Sequence, residues 1–200
     1  MHLKQFKDIE YIEHQRDVKY TRIEIKWPSQ VNVIGNNKKQ MTNYITKKYN
    51  WIKTKKQKLD KIYEEATIIE NHIPYFGKWY SVEEFNQQSK TKIRKNLRDP
   101  LKIYSEIHAQ KLGEKRQIKI KKMITKHASC NKKTIYLSQY LSMLPKELIQ
   151  YVIFHEYTHM YEKSHNKKFW KIIQEKYKNY EQYEKQLAVW WGRVRKLINN

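Results

Sequence analysis

The chain reads as an α+β protein with a small mixed or antiparallel sheet, and three features carry that reading. Two pairs of short stretches, 18–27 with 31–34 and 117–123 with 134–138, alternate apolar and polar residues in the period of a strand. Longer stretches repeat apolar residues at three- and four-residue spacing, the period of a helix face. Four Gly and four Pro in 200 residues punctuate these elements without forming a linker or an internal repeat.

Taken in order, 18–27 (VKYTRIEIKW) and 31–34, separated by Pro28, Ser29 and Gln30, predict a β-hairpin closed near Gly35. Residues 39–66 hold no Gly or Pro, and Met41, Tyr44, Ile45, Tyr49, Ile52, Leu59, Ile62 and Tyr63 recur at helical spacing, which predicts one or two long amphipathic helices. Pro74 and Gly77, set among Tyr75, Phe76, Trp79 and Tyr80, predict a turn and a short strand. A boundary near there gives an N-terminal hairpin and helical part over 1–80 and a second part over 81–200, with one continuous domain over 1–200 as the alternative. Residues 90–112 form a further helical pattern that Pro100 should interrupt, since Asp99 is disfavoured in the αR region and Leu101 can restart the helix; Gly113 ends it. The strand pair 117–123 and 134–138 follows. Pro145 suits the first turn of an apolar helix running to about Tyr161, and 167–177 and 180–198 are two more helical patterns that serve as scaffold.

With 39% hydrophobic and 14% aromatic residues the chain can build a core, so disorder is excluded. A single cysteine, Cys130, allows no internal disulfide, and no apolar leader follows Met1; a cytoplasmic location is the expectation. No apolar run approaches the roughly 20 residues of a membrane span. The net charge of +22 predicts attraction to polyanions. Between Lys90 and Lys146 there are 16 Lys or Arg against three acids, so Lys92, Arg94, Lys95, Arg98, Lys119, Lys121 and Lys122 are the candidate contacts to DNA or another polyanion. A biased genomic base composition would enrich Lys throughout in the same way.

The chemistry sits at residues 155–159, HEYTH. Positions four apart on a helix share a side, so His155 and His159 can offer two imidazole nitrogens to one ion at about 2.1 Å. Glu156 lies beside that face, placed to take the proton of an attacking water as general base without being a ligand. His165, six residues after His159, supplies a third nitrogen if the helix ends and the chain folds back. Three protein ligands leave one position open for water, the pattern of a catalytic Zn²⁺, one per chain. Glu156 among Phe154 and Tyr157 has no evident cationic partner, which a merely structural helix would leave as a costly buried carboxylate.

From HEYTH through His165 to Phe169 and Trp170, the sequence resembles the YgjP-like metallopeptidases, relatives of the SprT-like zincins. Tyr151, Val152, His155, Glu156, His159, His165, Phe169 and Trp170 follow that family's pattern in order. Ser129 and Cys130 keep half of its Trp-Gly-Ser-Cys strand element, with His127 and Ala128 in place of Trp and Gly. The resemblance spans nearly the whole chain, with its specific signal at 130–170. It implies a zincin-like fold with an HExxH active-site helix, zinc, and peptide-bond hydrolysis of a polypeptide substrate. A DNA-associated SprT-like protease and a non-enzymatic basic nucleic-acid-binding module with structural zinc are the alternatives. Around the motif, His127 reads as an exposed strand histidine rather than a cleft group, and Cys130 as a buried structural thiol. Phe169 and Trp170 read as anchors that fix His165, while Tyr157 and Tyr161 are equal candidates to steady an oxyanion.

Overall fold

Apolar alternation builds more strands at the start of the chain than the expected hairpin. The computed structural model describes residues 3–86 and 90–199, the side chains at 85–97 and 199 excepted, and divides into two compact units, Met1–Glu65 and Ala66–Asn200. In the first, β1 (Leu3–Phe6), β2 (Ile9–Gln15), β3 (Arg22–Lys26) and β4 (Gln30–Gly35) form a mixed sheet in the order β1-β2-β4-β3, with β2 and β4 parallel. The predicted hairpin is β3 with β4, but it closes at 27–29; Gly35 instead ends β4, where an added Cβ would meet Met41 Cγ at 2.7 Å. Helix α1 (Lys38–Glu65) is a single unbroken helix, begun by Asn37, whose side-chain oxygen accepts from Gln40 N at 2.9 Å. Its buried residues Met41, Ile45 and Ile52 cover Ile9, Tyr11, Val31 and Val33 of the sheet. A fully buried aliphatic side chain is worth about 1.5–3 kcal/mol, so this stripe fixes an otherwise polar helix.

The second unit opens with the hairpin β5 (His72–Tyr75) and β6 (Lys78–Ser81), turned through Phe76 and Gly77, both at positive φ. Gly77 has a second reason to lack a side chain, since a Cβ there would stand 2.9 Å from Pro145. Helices α2 (Val82–Asn86) and α3 (Lys90–Lys111) follow. The interruption expected at Pro100 does not occur: α3 runs through it. Leu101, Ser105 and Ala109, one turn apart and all buried, hold the helix against the core across a residue that costs about 3 kcal/mol in a helix interior. Gly113, at φ +70, stands just past its end.

Strands β7 (Gln117–Lys121), β8 (Ala128–Cys130) and β9 (Thr134–Ser138) form a sheet in the order β7-β9-β8, so among the described residues β8 pairs on one side only. A 3-10 turn, Gln139–Met143, leads to α4 (Lys146–Thr158), then α5 (Lys167–Lys176) and α6 (Tyr180–Asn199). Helix α4 is the centre of this unit, burying Leu148, Ile149, Tyr151, Val152, Ile153 and Phe154 among Leu101, Ile135, Leu137, Phe169 and Val194. Among the described residues the chain is a mixed α+β protein of six helices and small sheets. Among the described residues no helix is long and apolar enough to cross a membrane.

Candidate metal centre

Helix α4 delivers its polar groups at its C-terminal end. His155 and Glu156 occupy the last turn, and His159 is the C-cap of a helix that ends at Thr158, three residues before the expected end near Tyr161. Beyond it Tyr161 N and Glu162 N both donate to Thr158 O, turning the chain away from the helix axis. Asn166 then restarts helical structure as the N-cap of α5, accepting from Lys168 N and Phe169 N at 2.9 and 3.1 Å. His165 is the residue immediately before that cap, so the local sequence that begins α5 also returns the third imidazole to α4.

The three rings converge. Their centroids are 5.2 Å apart for His155 and His159, 4.8 Å for His155 and His165, and 4.8 Å for His159 and His165. One ring nitrogen from each lies within 4.8 Å of the others, and His155 Nε2 and His165 Nε2 are 2.8 Å apart. Phe169, fully buried, packs its ring 4.7–4.9 Å from all three imidazoles. Trp170 Nε1 donates to the His165 carbonyl at 3.1 Å, tying the returning loop to α5. His159 Nδ1 lies 3.0 Å from the Glu162 carbonyl and donates to it, which leaves Nε2 as the free ligand atom. Burial, then the neighbouring His165 and His159, pushes His155 down to about 3, and burial lowers His165 too, so both favour the neutral form that a metal ligand needs. Three imidazole nitrogens gathered in this way fit a divalent cation with imidazole preference.

Glu156 lies on the opposite flank of the same turn, 7% exposed. Burial pushes its carboxyl above the usual carboxylate range, against the Cys130 hydrogen bond and the charges of His159, Arg116 and Lys126, which pull it down. The Cys130 thiol is the donor in that bond; burial and then the Glu156 carboxylate push it up to about 11. Arg116 Nη2 donates to the Glu156 main-chain carbonyl at 2.7 Å and to Glu114 Oε2 at 2.6 Å, with the Glu114 side chain wholly inaccessible. Glu156, Cys130, Arg116 and the three histidines line a cleft of about 970 Å³ whose walls are the end of α4, strand β8, the preceding loop with Lys126 and His127, and Glu184 and Leu187 of α6.

The structure therefore brings together His155, His159, His165 and Glu156, all named from the sequence. His127 is not the exposed strand histidine expected: it lines the cleft, its ring meets Trp191 edge-on at 4.5 Å, and burial pushes it down to about 4. Tyr157 and Tyr161 bond each other at 2.7 Å between hydroxyls and are not among the cleft-lining residues. Of the basic candidates, the side chains of Lys92, Arg94 and Lys95 lie outside the described residues. Arg98 donates to the Ile120 carbonyl at 2.9 Å, and Lys121 stands over the Tyr136 ring at 3.6 Å, while Lys119 and Lys122 are exposed. Sequence reasoning missed Arg116, Glu114 and Glu184. The Glu-Lys-Arg run of 114–116 carries no sign that both ends are buried, and Glu184, which accepts from Tyr151 at 2.7 Å, is 33 residues away from its partner.

A family model for the YgjP-like metallopeptidase domain matches residues 83–189, a span that includes the whole cleft and none of the first unit. No curated protein and no solved structure matches the chain.

Proposed function

The chain belongs to the YgjP-like metallopeptidase family, and from that premise we propose that it is a zinc-dependent peptidase of the zincin type. His155, His159 and His165 hold the ion and Glu156 is the general base. The observation that carries this reading is the convergence of three imidazoles at one end of the cleft, next to a buried carboxyl that no ligand role requires. Zinc bound there supplies Lewis acidity, polarising the scissile carbonyl and acidifying water.

The chain's own groups do the rest. Glu156 accepts the proton of the attacking water as its oxygen bonds to the carbonyl carbon, then returns that proton to the amine nitrogen as the C–N bond breaks. A carboxyl raised by burial towards the working pH is a better base than an exposed one. Arg116 holds the backbone of Glu156, and Cys130 orients its carboxylate. Strand β8, paired among the described residues with β9 alone, leaves a backbone edge along the cleft on which an extended polypeptide can lie as a further strand. A purely structural metal would call for a fourth protein ligand, and among the described residues the cluster has three.

The test pairs metal analysis with turnover. Purified protein should contain one zinc per chain and cleave an unstructured polypeptide in a chelator-sensitive manner. Glu156→Gln should lose cleavage by roughly 10²–10⁴-fold yet keep its zinc, whereas His155→Ala or His159→Ala should lose both. Cleavage that persists in Glu156→Gln would refute the assignment.

A further inference from the structure

Helix α1 lies outside the span of the family match and carries its own chemistry. Its core-facing side is occupied by Met41, Ile45 and Ile52, each essentially inaccessible. Trp51, in the middle of the helix, is nonetheless 51% exposed. An indole left half in water has no role in the core, and Trp is a residue that folding normally covers.

Its surroundings are uniformly cationic. From Lys38 to Leu59 the helix contains eight Lys and no acid. Lys47, Lys48, Lys55 and Lys58 stand at four and three residues before Trp51 and four and seven after it, the spacings that bring side chains onto neighbouring ground on a helix. All four are exposed, and none enters an ion pair among the described residues, whereas Lys53 and Lys56 are neutralised by Asp8 and Asp60. The unpaired lysines thus gather around the exposed ring, in a stripe about 16 Å long at 1.5 Å per residue.

We propose that this face of α1 is a binding site for single-stranded nucleic acid, with a base stacked on Trp51 and phosphates held by Lys47, Lys48, Lys55 and Lys58. A flat aromatic set among flexible cations matches both parts of an unpaired nucleotide, its π-face and its charge. Duplex nucleic acid offers the charge but keeps its bases stacked internally, so the ring would contribute nothing to it. An anionic membrane would meet the lysines, but interfacial helices insert a broad apolar face, and here that face is already buried against the sheet. The site is independent of the peptidase reading and stands or falls without it.

The experiment measures anisotropy of a fluorescent 15-nucleotide mixed-sequence DNA strand with the full chain, over a salt series. Trp51→Ala should weaken binding roughly tenfold while leaving the salt dependence intact, and Trp51→Phe should restore part of the loss. Replacing Lys47, Lys48, Lys55 and Lys58 with Gln should lower the slope of log affinity against log salt by about 2.8 for four phosphates. The Trp51 side chain is half exposed, so circular dichroism should show both variants folded. Unchanged affinity in Trp51→Ala overturns the proposal. So does equal binding of a duplex of the same length, or binding of phosphatidylserine vesicles in place of the strand.

Discussion

Helices α1 and α4 make opposite uses of polar residues. Helix α1 has 28 residues, of which three are buried, and its lysines face water. Helix α4 has 13 residues and buries eight, Glu156 among them. On the long helix a charge costs nothing to keep and says little by itself about function. On the short one the buried carboxyl of Glu156 has a cost that something must offset, through Arg116, Cys130 or the chemistry of the cleft. Buried polar groups in this chain are therefore informative in proportion to their burial.

That contrast can be broken by mutation. The largest effect should come from Arg116→Ala, which strands the inaccessible Glu114 carboxylate; loss of one partner of a buried pair costs about 3–5 kcal/mol, read as a fall in the stability of the second unit on urea denaturation. If the loss is below about 1 kcal/mol, the buried pair is no more demanding than a surface one. Ile52→Ala removes one of the three residues that fix α1 and should cost about 2–5 kcal/mol in the first unit. Loss of helical circular dichroism at the same denaturant concentration would show that packing, and not intrinsic propensity, holds the helix.

Acid should separate the two regions as well. His127 is held near 4 in the folded protein against an ordinary value of 6.5, so between those pH values the unfolded chain takes a proton that the folded one refuses, and stability falls as pH drops through that window. Asp8, held to about 2 by the Tyr49 hydroxyl and then Lys53, contributes stability above its ordinary 3.8 and loses it only as pH falls towards 2. Melting temperature against pH should therefore decline more gently between pH 6.5 and 4 in His127→Phe, with no change below that. The smallest effect belongs to Lys53→Ala, which breaks the exposed pair with Asp8 and should leave the melting temperature at neutral pH almost unchanged.

The sequence by itself determined the mixed α+β character, the helical nature of the Gly- and Pro-free stretch though not that it is one helix, and the residues of the candidate centre. Those features are local: helical period puts His155 and His159 on one side, and Asn166 as a cap returns His165. Tertiary structure decided what local rules could not reach. It carried α3 across Pro100, where Leu101 and Ala109 are buried in the core beyond the proline. It drew residues 3–15 into a sheet through parallel pairing with β4, a partnership no short-range signal announces. It placed Arg116 and Cys130 against Glu156 from 40 and 26 residues away, and buried His127 against Trp191. Burial and pairing depend on which distant surfaces meet, and that is a property of the folded chain rather than of any window along it.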